Sequence, residues 1–299
     1  MHALSRTVRC QFPARGVSPE SMPQLAGPNG FGGTPAIDGP AIHYPIAVTC
    51  TGVPDPATGY LINIKTIDRA VRESAPSIVG SWLAGAGDEP AEAVAQRLFE
   101  AVARTLHPVR ATALRWWLTP TCSVETTDMN DMTKMSDDTA RTTDQHREAD
   151  GRGGAVLRQR FDFAAAHRLH VPELSDDQNR ELFGKCNNPS GHGHNYGVEP
   201  AVRLPDRLAA PDDAQPEHRM TVERLERLTD RTIIERFDHT HLNEDTEEFG
   251  PHGVNPSVEN IARVCYELLA PVIEADPSGA RLESLTVWET DRTRCTYSP

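Results

Sequence analysis

Two histidines, His192 and His194, flank one glycine in the run GKCNNPSGHGHNY at residues 184–196. On an extended strand, residues two apart project from the same face, so both imidazoles can meet one cation, with no side chain on Gly193 between them. A distant third histidine would complete a three-histidine site with one open position, the arrangement of a catalytic rather than a structural zinc. His167, at the end of a predicted strand, is the natural third, and His170 is held in reserve. Taken alone, an HxH pair more often marks a polar loop.

Cys186 precedes His192 by six residues, next to Gly184 and Lys185. A thiol beside a lysine and a bound divalent cation gives up its proton more readily, and so becomes a usable base or nucleophile. Two other readings stay open: a small buried apolar residue, or a further ligand of the same metal. The remaining cysteines, Cys10, Cys50, Cys122, Cys265 and Cys295, have no such neighbourhood and read as structural. In FDHTHLNED at 237–245, Asp238 sits beside His239 just after a helix, where a carboxylate can orient an imidazole that shuttles protons. Alone, that pair reads as a helix-end polar cluster, with His241 a solvated neighbour. Glu289, in TVWET at a strand end, alternates with Val287 toward one face. Its carboxylate can accept two parallel hydrogen bonds from a guanidine-like edge such as a 2-amino-4-oxopyrimidine offers; alone, it reads as an exposed acid.

The elements that must position these residues fall into two halves. Residues 126–154 carry three Met and no other large apolar side chain among many Asp and Thr, too little apolar surface to offset the entropy of ordering. That stretch reads as a disordered linker between a domain at 1–125 and another at 155–299. In the second half, strands reach His167 and span 196–204, and a closing strand covers 282–289. Between them lie a helix over 221–235, with Val222, Leu225, Leu228 and Ile233 inward, and a helix from Ser257 to about Ile273. Ile261, Val264, Cys265, Leu268, Leu269 and Val272 form one stripe of the latter, and Ser257 is its N-cap. The first half repeats the order: a strand over 45–52, a helix marked by Ile64, Ile67 and Val71, a helix capped by Asp88 with Val94, Leu98, Val102 and Leu106, and a strand over 113–118. Residues 19–42, rich in Gly and Pro, read as a loop. The expected class is α+β, a tandem pair of units, each an antiparallel β-sheet with two helices on one face.

Composition narrows the partners. Against 43 Asp+Glu stand 30 Lys+Arg, a net charge of -13, which disfavours a phosphate backbone as ligand and points away from nucleic acid. The 299 residues contain no long apolar run and no apolar h-region near Met1, so neither a membrane span nor a secretory signal is expected. Six scattered cysteines without a CxxC pair fit free thiols and a cytoplasmic location.

In order and spacing, these pieces resemble the 6-pyruvoyltetrahydropterin synthase family, which includes the 6-carboxytetrahydropterin synthases of queuosine biosynthesis. The resemblance rests on Phe163 to Leu169, GKCNNPSGHGHNY at 184–196, DHTHLN at 238–243, NPSVENIA at 255–262 and VWET at 287–290, nearly all of the second half. It implies that His167, His192 and His194 bind Zn2+ and that Cys186 is the catalytic thiol. It further implies that Asp238 and His239 relay protons and that Glu289 anchors a pterin. The implied activity is a zinc-dependent lyase acting on 7,8-dihydroneopterin triphosphate. Its product would be 6-pyruvoyltetrahydropterin with release of triphosphate, or 6-carboxytetrahydropterin with release of acetaldehyde. Lys185 and Arg168 are the candidate cations for the triphosphate. The implied fold is the tunnelling fold (T-fold), whose units close into stacked barrels with active sites between subunits, so a homo-oligomer is expected.

The chain also departs from the family. The turn after the second strand survives in the first half as DPATGYLINIKTIDRAV at 55–71, whereas residues 204–228 of the second half read LPDRLAAPDDAQPEHRMTVERLERL. Ser257 stands where the family has threonine. The first half has no HGH. Gly16 aligns with His167, and Leu118 or Thr119 takes the place of the terminal glutamate. The first copy is therefore expected to be non-catalytic, with three chains supplying six units of a ring. A rival reading is a pterin-binding or scaffolding protein that kept the fold without turnover. Another is a hydrolytic zinc enzyme of unrelated fold, which leaves Cys186 and Glu289 without roles.

Overall fold

The computed structural model describes residues 1–13, 41–85, 89–128, 154–205 and 218–299. It separates into two compact units, the first holding Met1–Val156 and the second Leu157–Pro205 and Asp212–Pro299.

In the first unit, β1 (His2–Pro13) and β2 (Ala41–Gly52) lead into α1 (Ile64–Ala75), α2 (Ser81–Leu83) and α3 (Ala91–Leu106), then β3 (Arg110–Trp117) and β4 (Cys122–Thr127). The four strands pair antiparallel in the order β1-β2-β3-β4. Alternation puts Val8, Cys10 and Phe12, then Ile46, Val48 and Cys50, then Leu114 and Trp116, on the buried face. Helices α1 and α3 bury Ile67, Val71, Val94, Leu98 and Val102, the residues whose helical spacing marked them in the sequence. Ile64, also in that set, is exposed, because it is the first residue of α1.

The second unit runs β5 (Val156–Gln159), β6 (Phe161–His167), α4 (Asp176–Phe183), β7 (His192–Arg203), α5 (Val222–Thr229), β8 (Thr240–His241), α6 (Val258–Glu274), β9 (Arg281–Thr290) and β10 (Thr293–Tyr297). Its strand order is β8-β6-β7-β9-β10, with β5 also beside β7. All the described pairings here are antiparallel except the short β6–β8 contact. Thr221 caps α5 and Ser257 caps α6, each accepting a backbone N–H through its side-chain oxygen. The apolar stripe of α6 is buried through Ile261, Val264, Cys265, Leu269 and Ile273.

Leaving aside α2 in the first unit and β5, α4 and β8 in the second, the two units share an order of strand, strand, helix, helix, strand, strand. They also share an irregularity: after α1 the chain makes a π-helical segment at Pro76–Gly80, and after α5 it makes one at Asp230–Ile234. The tandem α+β architecture is thus written twice, down to a local defect. Two strands carry no strong sequence signal. β10 lies at the sheet edge with mostly exposed side chains, and β4 follows β3 after a short turn. β4 continues to Thr127, taking in the first two residues of the expected linker, because Thr126 is buried and bonded to Gln96. The rest of that stretch (129–153), Gly16, Asp88 and residues 206–217 of the altered turn lie outside the described residues, as do residues 19–40 of the expected loop.

Candidate active site

Strand register assembles the three histidines. His167 pairs with His192 at the end of the β6–β7 ladder, and Ala165 pairs with His194. Because side chains alternate, His167, His192 and His194 share the face that buries Phe163 and Tyr196 further along. The ring centroids are 4.5 Å (His167–His192), 5.2 Å (His167–His194) and 4.8 Å (His192–His194) apart. One ligand atom from each lies within 4.8 Å of the others, and among the described residues this is the one such group. Nε2 of His167 is 3.1 Å from Nε2 of His192. Two nitrogens each about 2.05 Å from a tetrahedral zinc would sit roughly 3.3 Å apart, so this spacing fits the ion.

The protonation states fit too. His167 is fully buried, and its Nδ1 faces the carbonyl of Pro256 at 2.7 Å. Nδ1–H donating there leaves Nε2 with its lone pair free, as a metal ligand requires. Burial pushes the His167 pKa down to about 4; the Pro256 contact opposes this, while the neighbouring imidazoles add to it. Burial, then His194, lowers that of His192 as well. Nε2 of His194 and Nδ1 of His192 are buried with no hydrogen-bond partner. Unpartnered buried nitrogens are costly in a folded protein, and a bound cation would satisfy His194 directly.

Glu289 reaches the same place from β9. Its Oε1 lies 3.6 Å from Nε2 of His167 and 3.7 Å from Nε2 of His194. Tyr196, stacked on Phe163 at 5.1 Å, forms the floor; its hydroxyl is buried without a partner, and burial with the nearby Glu289 and Cys186 raises its pKa. Cys186 lies in a 3-10 turn (Gly184–Asn187), half-buried, and its carbonyl accepts from Leu169 N at 2.8 Å. That bond ties the thiol-bearing turn to the chain two residues past His167. Asn187 strengthens the tie, donating to Leu169 O at 2.7 Å. It also bonds Nδ1 of His170, at 3.1 Å, which engages the reserve ligand away from the cluster.

Asp238 and His239 form their expected pair, with Oδ2 and Nδ1 2.8 Å apart. The other carboxylate oxygen accepts from Ala164 N at 2.8 Å, and His239 N donates to Ala164 O at 2.6 Å. The Ala164 N–H foremost, and then the His239 ring, hold the Asp238 carboxyl below its usual range. His239 adopts φ 57°, a left-handed conformation uncommon for a residue with a Cβ. Its ring is 82% exposed and makes no bond to Cys186 or the three histidines among the described residues. Of the candidate cations, Lys185 is exposed, and Arg168 Nε donates to Asn187 O at 3.3 Å, on the same turn.

Several positioning residues escape a reading by motif. Asn243 clamps residue 168 at both backbone groups, accepting from Arg168 N at 2.7 Å and donating to its carbonyl at 3.1 Å. Asn179, fully buried in α4, accepts from Val171 N and donates toward the carbonyls of Val171, Leu174 and Ser175. The signal for α4 was present: Ser175 and Gln178 form a capping box. His241, expected in solvent, is half-buried instead, its Nδ1 inaccessible and its Nε2 against Gly191.

In the first unit, aromatic rings gather where β1 ends and β2 begins. Phe12 lies 5.8 Å from Tyr44, Tyr44 5.5 Å from Trp116 and Trp116 5.4 Å from Trp82. No metal-ligating group occurs there among the described residues.

Comparison with known proteins agrees with the second unit. The family model described as 6-pyruvoyl tetrahydropterin synthase matches residues 156–299. The human 6-pyruvoyl tetrahydrobiopterin synthase is 35% identical over 143 residues, covering 48% of this chain and 90% of that protein. The Drosophila melanogaster protein of the same name is 42% identical over 108 residues; the match takes 36% of this chain and spans 60% of the fly protein. The solved Caenorhabditis elegans 6-pyruvoyl tetrahydropterin synthase shares 32% identity over 48% of this chain and 94% of its own, with a TM-score of 0.40. Through its second unit, this chain belongs to the 6-pyruvoyl tetrahydropterin synthase family.

Proposed function

We infer that the chain is a zinc-dependent lyase of pterin biosynthesis whose substrate is 7,8-dihydroneopterin triphosphate. The observation that carries this reading is the convergence of three imidazoles with Glu289 at their rim and the Cys186 turn alongside. Family membership supports it independently.

His167, His192 and His194 would hold the ion. When bound, zinc supplies Lewis-acid withdrawal that acidifies the C–H and O–H groups of the substrate side chain. Glu289 accepts two N–H groups from the pyrimidine edge, which fixes the ring and sets its side chain toward the histidines. Cys186, as thiolate, takes a proton from the carbon next to the ring imine, and His239, oriented by Asp238, delivers a proton elsewhere on the side chain. Since His239 is exposed and apart from the other groups within the chain, its partners would come from a neighbouring copy. A homo-oligomer, three chains supplying six units, is the assembly that fits. The first unit, with aromatic rings near the matching strand ends, serves as a non-catalytic member of that assembly.

The test is incubation of zinc-loaded protein with dihydroneopterin triphosphate, followed by product chromatography. Triphosphate release with a 6-pyruvoyl product, or acetaldehyde with a 6-carboxy product, supports the lyase and tells the two reactions apart. Tight pterin binding without turnover would replace it with the binding protein.

A further inference from the structure

Two groups crowd the turn before β7 at Gly191. Gly191 has φ +67°, and a Cβ added there would lie 2.5 Å from Nε2 of His241 and 3.0 Å from the carbonyl oxygen of His167. The next residue is His192, so the turn sets where that imidazole begins. His241 is itself anchored. Its backbone pairs with Ala166 in the β6–β8 contact, and its N–H donates to Asp245 Oδ2 at 2.7 Å. The ring's Nδ1 is buried and has no hydrogen-bond partner.

We propose that His241 is a positioning residue for the metal site, a steric wedge whose ring holds the Gly191 turn against the His167 strand and so fixes His192 relative to His167. This rests on the three-histidine zinc reading and extends it to a residue outside the ligand set. The wedge acts by shape. Removing it lets the turn relax outward, and the site then closes on an ion only after reordering a loop, which costs affinity. A filler of similar volume restores it.

The experiment is metal titration of the chelated full-length chain with cobalt, read by visible d–d absorption, and with zinc by competition against a chromophoric chelator. His241→Ala should weaken both metals about tenfold, the lower end of what residues supporting a ligand contribute. It should also alter the cobalt spectrum, while His241→Leu recovers most of the affinity. Gly191→Ala should weaken binding more in the wild-type background than in His241→Ala, because one of its two close contacts is then gone. That cycle stays informative if His241→Ala lowers the melting temperature. Unchanged affinity and spectrum in His241→Ala overturns the wedge and leaves the zinc reading standing. Weakening that His241→Leu does not recover, or additive effects of the two substitutions, also overturns it. A wild-type chain that takes up no cobalt or zinc overturns both.

Discussion

Burial and one carbonyl decide the chemistry of His167: the first keeps the ring neutral, the second selects the nitrogen that stays free. A pH dependence follows for the metal-free protein. The folded-state pKa lies near 4 against a reference of 6.5. Between those values the unfolded chain binds a proton that the folded chain refuses, so stability rises with pH across the window and is lost as pH falls through it. Thermal melts of chelated protein should show this slope, and His167→Gln should flatten it; equal slopes would mean the ring is not held neutral. Cys186 is separable from the ligands. Cys186→Ala should lower kcat by roughly 10²–10⁴, the range for loss of a positioned proton-transfer group, with zinc content intact. Loss of zinc along with activity would instead make the thiol a ligand. At this scale the sequence was most legible where spacing is set by strand geometry: HGH can only present two rings to one face. It was least legible at His241, since nothing in DHTHLN says that a glycine fifty residues earlier will pack against its ring.

Elements hold these residues through amide clamps more than through ion pairs. The path from His167 to Val171 has no regular structure of its own, and Asn243, Asn187, Asn255 and Asn179 satisfy its backbone groups one by one. Asn179→Ala would strip Val171 N and the Leu174 carbonyl of the fully buried amide, while Val171 O keeps Leu174 N and Ser175 O keeps the backbone N–H of residue 179. The expected cost is about 2–3 kcal/mol, from the desolvation penalty of buried groups left unpaired. Denaturant unfolding would read it as a lowered midpoint; a change within about 0.5 kcal/mol, the range of ordinary surface substitutions, would mean water replaces the amide freely. Helices with a continuous apolar stripe, such as α6, announce themselves by period, and their caps by residue type. β10 and α4 have no such apolar period, since one is an exposed edge and the other, though marked by a capping box, buries mainly Asn179. Short elements held by polar side chains leave no hydrophobic rhythm to read.

Across the molecule, one scaffold appears twice and, among the described residues, the three-histidine site once. The repeat is legible because element order and apolar spacing survive in both halves, while the chemistry is concentrated in the second. The aromatic group of Phe12, Tyr44, Trp82 and Trp116 gives the first unit a core of rings near the strand ends that, in the second unit, carry the histidines. Among the described residues no helix is long and apolar enough to cross a membrane. The tandem arrangement predicts a metal count that a single-unit relative would not distinguish. Elemental analysis of purified, active protein, calibrated by amino-acid analysis, should give one zinc per 299-residue chain, falling to near zero in a His192→Ala, His194→Ala double variant that keeps its circular dichroism. Active protein with no zinc, or a double variant that retains the full complement, would contradict the assignment of the ion to these three rings.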